Sequence, residues 1–269
     1  MKLTFLGTGG GRFVMAKQMR RTAGFVVKTK ESLLHVDPGP GGLVYLNKLR
    51  IKPRRPDAIL VSHAHLDHSH DTAPLIELMT DGGRMERGTV LASESVINGI
   101  DGFIPAFGDY HKNMVERVLV SRPGKKYVVR DLEITATPTW HDDPTGTGFI
   151  LDDGEIRLAY LSDTGYTEEL GDLLETIEPN AIIFNLIFDG EERTSHTNLD
   201  TVRSVIQRVK PQVILLQHFG ARITMRRMEG VLAKNIERET GIETIALRDG
   251  DVVTLPWSEE KARKIDEFI

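Results

Sequence analysis

The stretch Ile59–Asp71, I-L-V-S-H-A-H-L-D-H-S-H-D, constrains this chain more than any other. Ile59, Leu60 and Val61 predict a short strand buried on both faces, because an unbroken aliphatic run leaves no polar face for water. The strand leads straight into His63, His65, Asp67 and His68. In an extended backbone residues two apart point the same way, so His63 and His65 can share one metal ion. Asp67 and His68 are adjacent and face different directions, which directs them to a second ion beside the first. Imidazole and carboxylate together suit zinc, iron or manganese. The chain has no cysteine, so disulfides, thiolate catalysis and cysteine-held zinc are excluded. One histidine in a loop is an ordinary polar residue; three with an aspartate behind a core strand are read as a metal site.

The rest of the chain repeats the theme of polar groups at the ends of apolar strands. Thr137-Pro138-Thr139-Trp140-His141 ends one strand, Leu158–Thr164 ends another at Asp163, and Val213–His218 ends a third. A rigid scaffold converges side chains on one edge in this way. Near the start, Thr4–Gly11 reads as a strand entering a glycine-rich turn. It matches neither a P-loop nor a dinucleotide fingerprint, and no clear helical pattern follows, so no cofactor-binding loop is assigned. The turn is read as a way to bring backbone close to the site. Arg20 and Arg21 either reach a substrate phosphate or form a solvated charge pair. Strands are expected over Gly24–Lys28 and Ser32–Asp37, with His35 packed inside the sheet, and a helix over Gly41–Arg50. Lys52–Pro56 reads as a loop. Thr72–Thr80 has helical spacing, with His70 and Asp71 at its start and Asp71 as the expected cap. After a strand at Thr89–Ser93 and a helix at Glu94–Gly99, the aromatics between 101 and 115 form either a lid or partner surface, or core. Asp249-Gly250 between Thr244–Arg248 and Asp251–Leu255 signals a hairpin, and Trp257–Ile269 a charged helix. No repeat or linker divides residues 1–269, so one domain is expected.

H-x-H-x-D-H after a hydrophobic strand resembles the signature of the metallo-β-lactamase-fold hydrolases. The resemblance implies an α/β fold: a four-layer αββα sandwich, two mixed sheets with outer helices, and a two-metal site at one edge. It implies one ion held by His63, His65 and His141, another by Asp67, His68 and His218, and Asp163 as the bridge. It implies that Asp37, in the turn Asp37-Pro38-Gly39, braces the ligand loop without binding metal, and that the Phe5–Gly9 opening lies beside the metals. Ser195-His196-Thr197-Asn198-Leu199-Asp200 resembles an element of the phosphodiesterase branch, which includes tRNA 3′-processing nucleases and the cyclic-phosphate phosphodiesterases of phosphonate metabolism. There the histidine is catalytic, which makes His196 a candidate; the plainer alternative is a residue that merely precedes a helix starting at Asn198.

Two divalent ions about 3.5–4 Å apart would share a water and lower its pKa toward roughly 7. Zinc leads, with manganese and iron as alternatives. Asp67 would orient the nucleophile while ligating, and His196 would assist the leaving oxygen. The tRNA nucleases add a long arm, which neither the span 141–163 nor 163–196 has room for. With a formal net charge of −5, the expected substrate is a small phosphodiester, a cyclic nucleotide or cyclic sugar phosphate, with RNA as the alternative. Arg222, Arg226 and Arg227 either clamp phosphate oxygens or form a solvated face. Acyl hydrolysis of a lactone or thioester is a second class, and would survive loss of His196. A non-hydrolytic redox or binding protein is a third, which lacks a flavin domain or should have lost ligands. No apolar run reaches bilayer length and no leader is evident, so a cytoplasmic protein without membrane contact is expected. A homodimer is expected only by analogy.

Overall fold

The computed structural model describes residues 1–49, 55–190 and 194–257. Arg50, most of the expected loop at Lys52–Pro56 and the expected C-terminal helix beyond Trp257 lie outside these residues. In chain order the strands are β1 (Lys2–Phe5), β2 (Phe25–Lys28), β3 (Leu33–Val36), β4 (Ala58–Val61), β5 (Thr89–Ala92), β6 (Arg117–Val120), β7 (Lys126–Val129), β8 (Leu132–Pro138), β9 (Thr147–Asp152), β10 (Arg157–Tyr160), β11 (Ala181–Asn185), β12 (Val213–Gln217), β13 (Glu243–Ala246) and β14 (Val252–Thr254). The helices are α1 (Arg12–Lys17), α2 (Gly42–Lys48), α3 (Leu66–Ser69), α4 (Thr72–Thr80), α5 (Glu94–Ile97), α6 (Asp109–Lys112), α7 (Glu168–Ile177), α8 (Leu199–Arg208), α9 (Ala221–Arg226) and α10 (Glu229–Thr240).

The strands form two sheets, β14-β1-β2-β3-β4-β5-β6 and β13-β12-β11-β10-β9-β8-β7. Both are mixed, and both switch in the same way. From β14 to β3 the neighbours run antiparallel, and from β3 to β6 parallel. From β7 to β10 they run antiparallel, and from β10 to β13 parallel.

Side-chain alternation explains why the central strands read as unbroken aliphatic runs. Leu34 and Leu60 face inward, against Leu158, Ile183 and Leu215 of the other sheet. Their neighbours Ile59 and Val61 face outward, beneath Leu75, Ile76 and Met79 of α4. On the second sheet Ile182, Phe184 and Leu216 face outward to Leu170 and Leu174 of α7 and to Val202 and Val205 of α8. Each fully buried side chain of this kind stabilises the fold by about 1.5–3 kcal/mol. Two sheets covered by helices on their outer faces give the expected four-layer αββα sandwich. Among the described residues, no helix is long and apolar enough to cross a membrane.

Three local expectations are corrected. Asp249-Gly250 does not close a hairpin, because β13 pairs with β12 in one sheet and β14 with β1 in the other. The turn is a crossing between sheets. Asp71 occupies the N-cap position of α4 without capping it. Its carboxylate accepts instead from Leu43 N in the first turn of α2, at 3.1 Å, and meets His70 Nδ1 at 2.8 Å. A helix, α1, does follow the glycine turn. The aromatics between 101 and 115 divide: Phe107 is core, while Tyr110 is exposed.

Candidate metal centre

The exits of four strands gather at one edge of the sandwich. Just past β4 stand His63 and His65; past β10, Asp163; past β12, His218; past β8, His141. Asp37, Ser162 and His218, each at a strand exit, adopt left-handed backbone with φ of 50°, 60° and 57°. Such conformations cost non-glycine residues about 1–3 kcal/mol and gather where a site imposes them. Asp67 and His68 are not extended as the sequence suggests but lie on the single turn of α3. Curling the chain there turns both side chains inward. His68 Nε2 lies 3.7 Å from Asp67 Oδ2, so these neighbours converge rather than diverge.

The hydrogen bonds show which ring nitrogens carry lone pairs. Ser62 Oγ donates to Asp37 Oδ2 at 2.6 Å, so its contact with His63 Nδ1, at 3.0 Å, has the histidine as donor. His141 Nδ1 lies 3.2 Å from the Ser195 carbonyl, which can only accept. The Nε2 atoms of His63 and His141 are therefore bare, and both point at His65 Nδ1 at 3.1 Å. One hydrogen on His65 cannot serve both. Atoms ligating one tetrahedral zinc at about 2.0–2.1 Å stand roughly 3.3 Å apart, close to this spacing. Burial, then the neighbouring imidazoles, push His63 well below its ordinary pKa and His65 down to about 4, so both are neutral at pH 7.

A second convergence lies beside the first. His68 Nδ1 donates to Asp37 Oδ2 at 2.8 Å, which turns Nε2 toward the centre, 2.9 Å from His218 Nε2. His218 Nε2 is 3.3 Å from Asp67 Oδ2 and 3.4 Å from Asp163 Oδ1. His68 Nε2 is 3.6 Å from the same Asp163 oxygen. Burial opposes charge on His68, but Asp163, Asp67 and Asp37 overcome it and push the imidazole up to about 10. Burial likewise raises Asp163 and Asp67, and the histidines win again: His218 and His68 hold Asp163 at about 2, and Asp67 well below the carboxylate range. Three buried carboxylates demand positive charge here, which a divalent ion would supply. Ligand atoms of His63, His65 and His141, of His63, His68 and Asp163, and of Asp67, His68 and His218 lie within 4.8 Å of one another in each set. The donor set therefore fits metal.

A buried network braces these groups. Tyr160 Oη donates to Asp37 Oδ2 at 2.5 Å and accepts from Asn185 Nδ2 at 3.1 Å. Asn185 Nδ2 also donates to Asp163 Oδ1 at 2.7 Å, and Gln217 Nε2 to Asn185 Oδ1 at 3.0 Å. Asp143 holds the ligand loop at Ala64 N, 3.0 Å, and accepts from Ser95 Oγ. Sequence reasoning names Asp37 but misses Tyr160, Asn185, Gln217 and Asp143. The only signal was position, since Tyr160, Asn185 and Gln217 each occupy the last residue of a parallel-sheet strand. The glycine turn does approach the site. Gly11 N donates to Asp67 Oδ2 at 2.6 Å, and Gly10 lies so close to His218 that a Cβ there would stand 2.0 Å from its ring.

His196 is half-buried, with its ring centroid 4.6 Å from that of His141. Its ligand atom, with those of His141 and Asp163, also falls within 4.8 Å. Burial lowers its pKa. Asn198 does start α8, its side chain accepting from Thr201 N at 2.9 Å. His35 is packed in the sheet as expected, against the Ala23 carbonyl at 2.9 Å. Arg20 is partly exposed and donates to Thr8 Oγ1 at 2.6 Å and to Glu229 at 2.9 Å. Arg21 stacks on Tyr45, 4.2 Å from its centroid. Arg222 pairs with Asp189 at 3.2 Å, while Arg226 and Arg227 are exposed.

Comparison with known proteins agrees with this geometry. A family model described as the β-lactamase superfamily domain matches residues 33–219, more than half of the chain. The Methanocaldococcus jannaschii protein MJ1374 is 35% identical over 260 residues, covering 95% of each chain. Ribonuclease Z of Pediococcus pentosaceus is 22% identical, covering 95% of this chain and 99% of its own. The crystal structure of a diphosphatase from the PhnP family superposes with a TM-score of 0.65 at 18% identity, covering 94% of this chain and 96% of that one. The chain belongs to the β-lactamase superfamily and has the metallo-β-lactamase fold, with a histidine–aspartate cluster able to bind metal.

Proposed function

We propose that this protein hydrolyses a small phosphodiester, using two divalent ions held at the strand ends. The observation that carries the reading is His196, a half-exposed imidazole beside the buried ligand nitrogens, reaching the same space as His141 and Asp163. Ribonuclease Z and the PhnP-family diphosphatase support it, since both names point to phosphorus–oxygen bonds. His63, His65 and His141 would hold one ion, Asp67, His68 and His218 the other, with Asp163 between them. Zinc is the expected metal, with manganese and iron as alternatives. Divalent ions there would supply an acidified water and positive charge against the phosphate oxygens.

The chain's own groups do the rest. Asp67, fixed by the Gly11 N–H, orients the attacking water by accepting a hydrogen bond from it. Asn185 fixes the Asp163 carboxylate. His196, whose pKa burial lowers, offers an N–H to the oxygen that departs. The test is turnover of bis(p-nitrophenyl) phosphate by wild type and His196→Ala, each with its metal content measured. About two ions per chain in both proteins, and diester cleavage falling by roughly 10²–10⁴ in the variant, are expected. Turnover of a lactone or thioester indifferent to His196, with no diester cleavage, would move the protein to acyl hydrolysis.

A further inference from the structure

A row of five rings crosses the metal centre. The Phe103 ring centroid lies 5.7 Å from that of His65, His65 4.9 Å from His141, His141 4.6 Å from His196, and His196 5.7 Å from Phe188. The three imidazoles occupy the middle, and a phenyl ring stands at each end. Neither phenyl belongs to a hydrophobic core: Phe188 is 45% exposed and Phe103 is half-buried.

Both rings are held in place by their backbones. Phe103 exchanges two hydrogen bonds with Ile100, of 2.9 and 3.1 Å, across a tight turn. Ile187 N and Phe188 N both donate to the Thr197 carbonyl, beside His196. Leu66 and Trp140, which flank ligand positions in the chain, are exposed as well. Apolar surface gathered around a catalytic opening marks ligand contact rather than chance. Of the arginines near the site loops, Arg20 is committed to Thr8 and Glu229, Arg21 to Tyr45 and Arg222 to Asp189, while Arg12, next to Gly11, is exposed. The rings at the two ends of the row offer flat carbon surfaces to what extends beyond the scissile phosphate.

We propose that Phe103 and Phe188 are stacking platforms for the base of a nucleotide, so that base-bearing diesters are the substrates of this centre. This rests on the phosphodiesterase reading and chooses within it, cyclic nucleotide over cyclic sugar phosphate. A phenyl face stacks on any base, which gives affinity with little sequence preference. It offers a bare sugar no hydrogen bond.

The experiment compares kcat/KM for cyclic AMP isomers with that for the same cyclic ribose phosphates lacking the base. It uses metal-loaded wild type, Phe103→Ala, Phe188→Ala and Phe188→Tyr. Equilibrium binding of AMP against ribose phosphate gives a readout independent of turnover. Wild type favours the nucleotide, and each alanine narrows that preference by roughly 5- to 150-fold, the range that stacking on one base spans. The change lies in KM, because stacking is uniform between ground and transition states. Phe188→Tyr keeps the ring and the preference. A wild type that cleaves base-free and base-bearing diesters alike, or alanine variants that keep the preference, overturns the inference alone. A wild type that cleaves no diester and binds AMP no better than ribose phosphate overturns this inference and the phosphodiesterase reading together.

Discussion

Asp37 shows how much of this centre depends on one residue that touches no ligand position of its own chain segment. Its carboxylate accepts from Ser62 N, Ser62 Oγ, His68 Nδ1 and Tyr160 Oη. The donor from His68 fixes which nitrogen of that ring faces the centre. Tyr160→Phe removes the hydroxyl that ties Asp37 to Asn185, and through Asn185 to Asp163. Outer partners of this kind are worth about 10–100-fold in metal affinity, so zinc affinity measured by chelator competition should fall by that factor. An unchanged affinity would show that Asp37 needs only Ser62. His35 makes a different prediction, one of stability. Burial lowers its pKa from 6.5 to about 4, so the folded protein resists a proton that the unfolded chain accepts. That contribution is complete above about pH 6.5 and is lost as pH falls toward 4, on the order of 3 kcal/mol in all. His35→Gln keeps an N–H for the Ala23 carbonyl and has no proton to gain. Its unfolding free energy should decline less than that of wild type across this window, and parallel declines would exclude His35 as the cause.

At the scale of elements, the glycine turn and the β13–β14 crossing act as one unit. Asp249 Oδ1 accepts from Thr8 N and Thr8 Oγ1, at 2.9 and 2.7 Å, and Oδ2 from Arg21 N at 3.0 Å. The crossing thus clamps the loop whose Gly11 N–H holds Asp67. Gly10→Ala tests the loop from its other side. A methyl group 2.0 Å from the His218 ring forces that ring off the Nε2 position it shares with His68. The loss of about one ion per chain by metal analysis, with the second retained, is expected; two ions retained would mean that the loop yields instead. The turn was legible in sequence as a close approach of backbone. Its clamp was not, because an Asp-Gly pair signals a turn without saying whether the strands beside it pair with each other. Here parallel pairing to β12 and antiparallel pairing to β1 decide, and both are long-range. The misplaced cap has the same origin. Asp71 sits where a cap belongs, but α2 brings Leu43 N closer to its carboxylate than its own helix does.

For the whole molecule, the layers were legible because central strands such as β4, β11 and β12 are buried on both faces and therefore read as nearly unbroken apolar sequence. The strand-end histidines and aspartates were legible because they interrupt those runs. The bracing network was not: Tyr160 and Asp37 are 123 residues apart, and Asn185 and Asp163 are 22 apart. No local period links them. Nor does the sequence announce the matching antiparallel-to-parallel switch of the two sheets. That shared switch places the site where both sheets expose parallel strand ends, so the ligands come from both halves of the sandwich. His63 and His68 leave the first sheet, His141, Asp163 and His218 the second. Ions bound between them should therefore stabilise the whole sandwich, not one loop. Binding to the folded state at about 1,000 times Kd contributes roughly 4 kcal/mol, which for a chain of this size corresponds to about 8–16 °C in Tm. Removing metal with a chelator should lower Tm by that amount, with both sheets unfolding in one transition. A chelated protein whose Tm holds while metal analysis shows it empty would mean that hydrogen bonds and the buried His68 charge already offset the carboxylates of Asp37, Asp67 and Asp163 sufficiently. Metal would then serve chemistry alone.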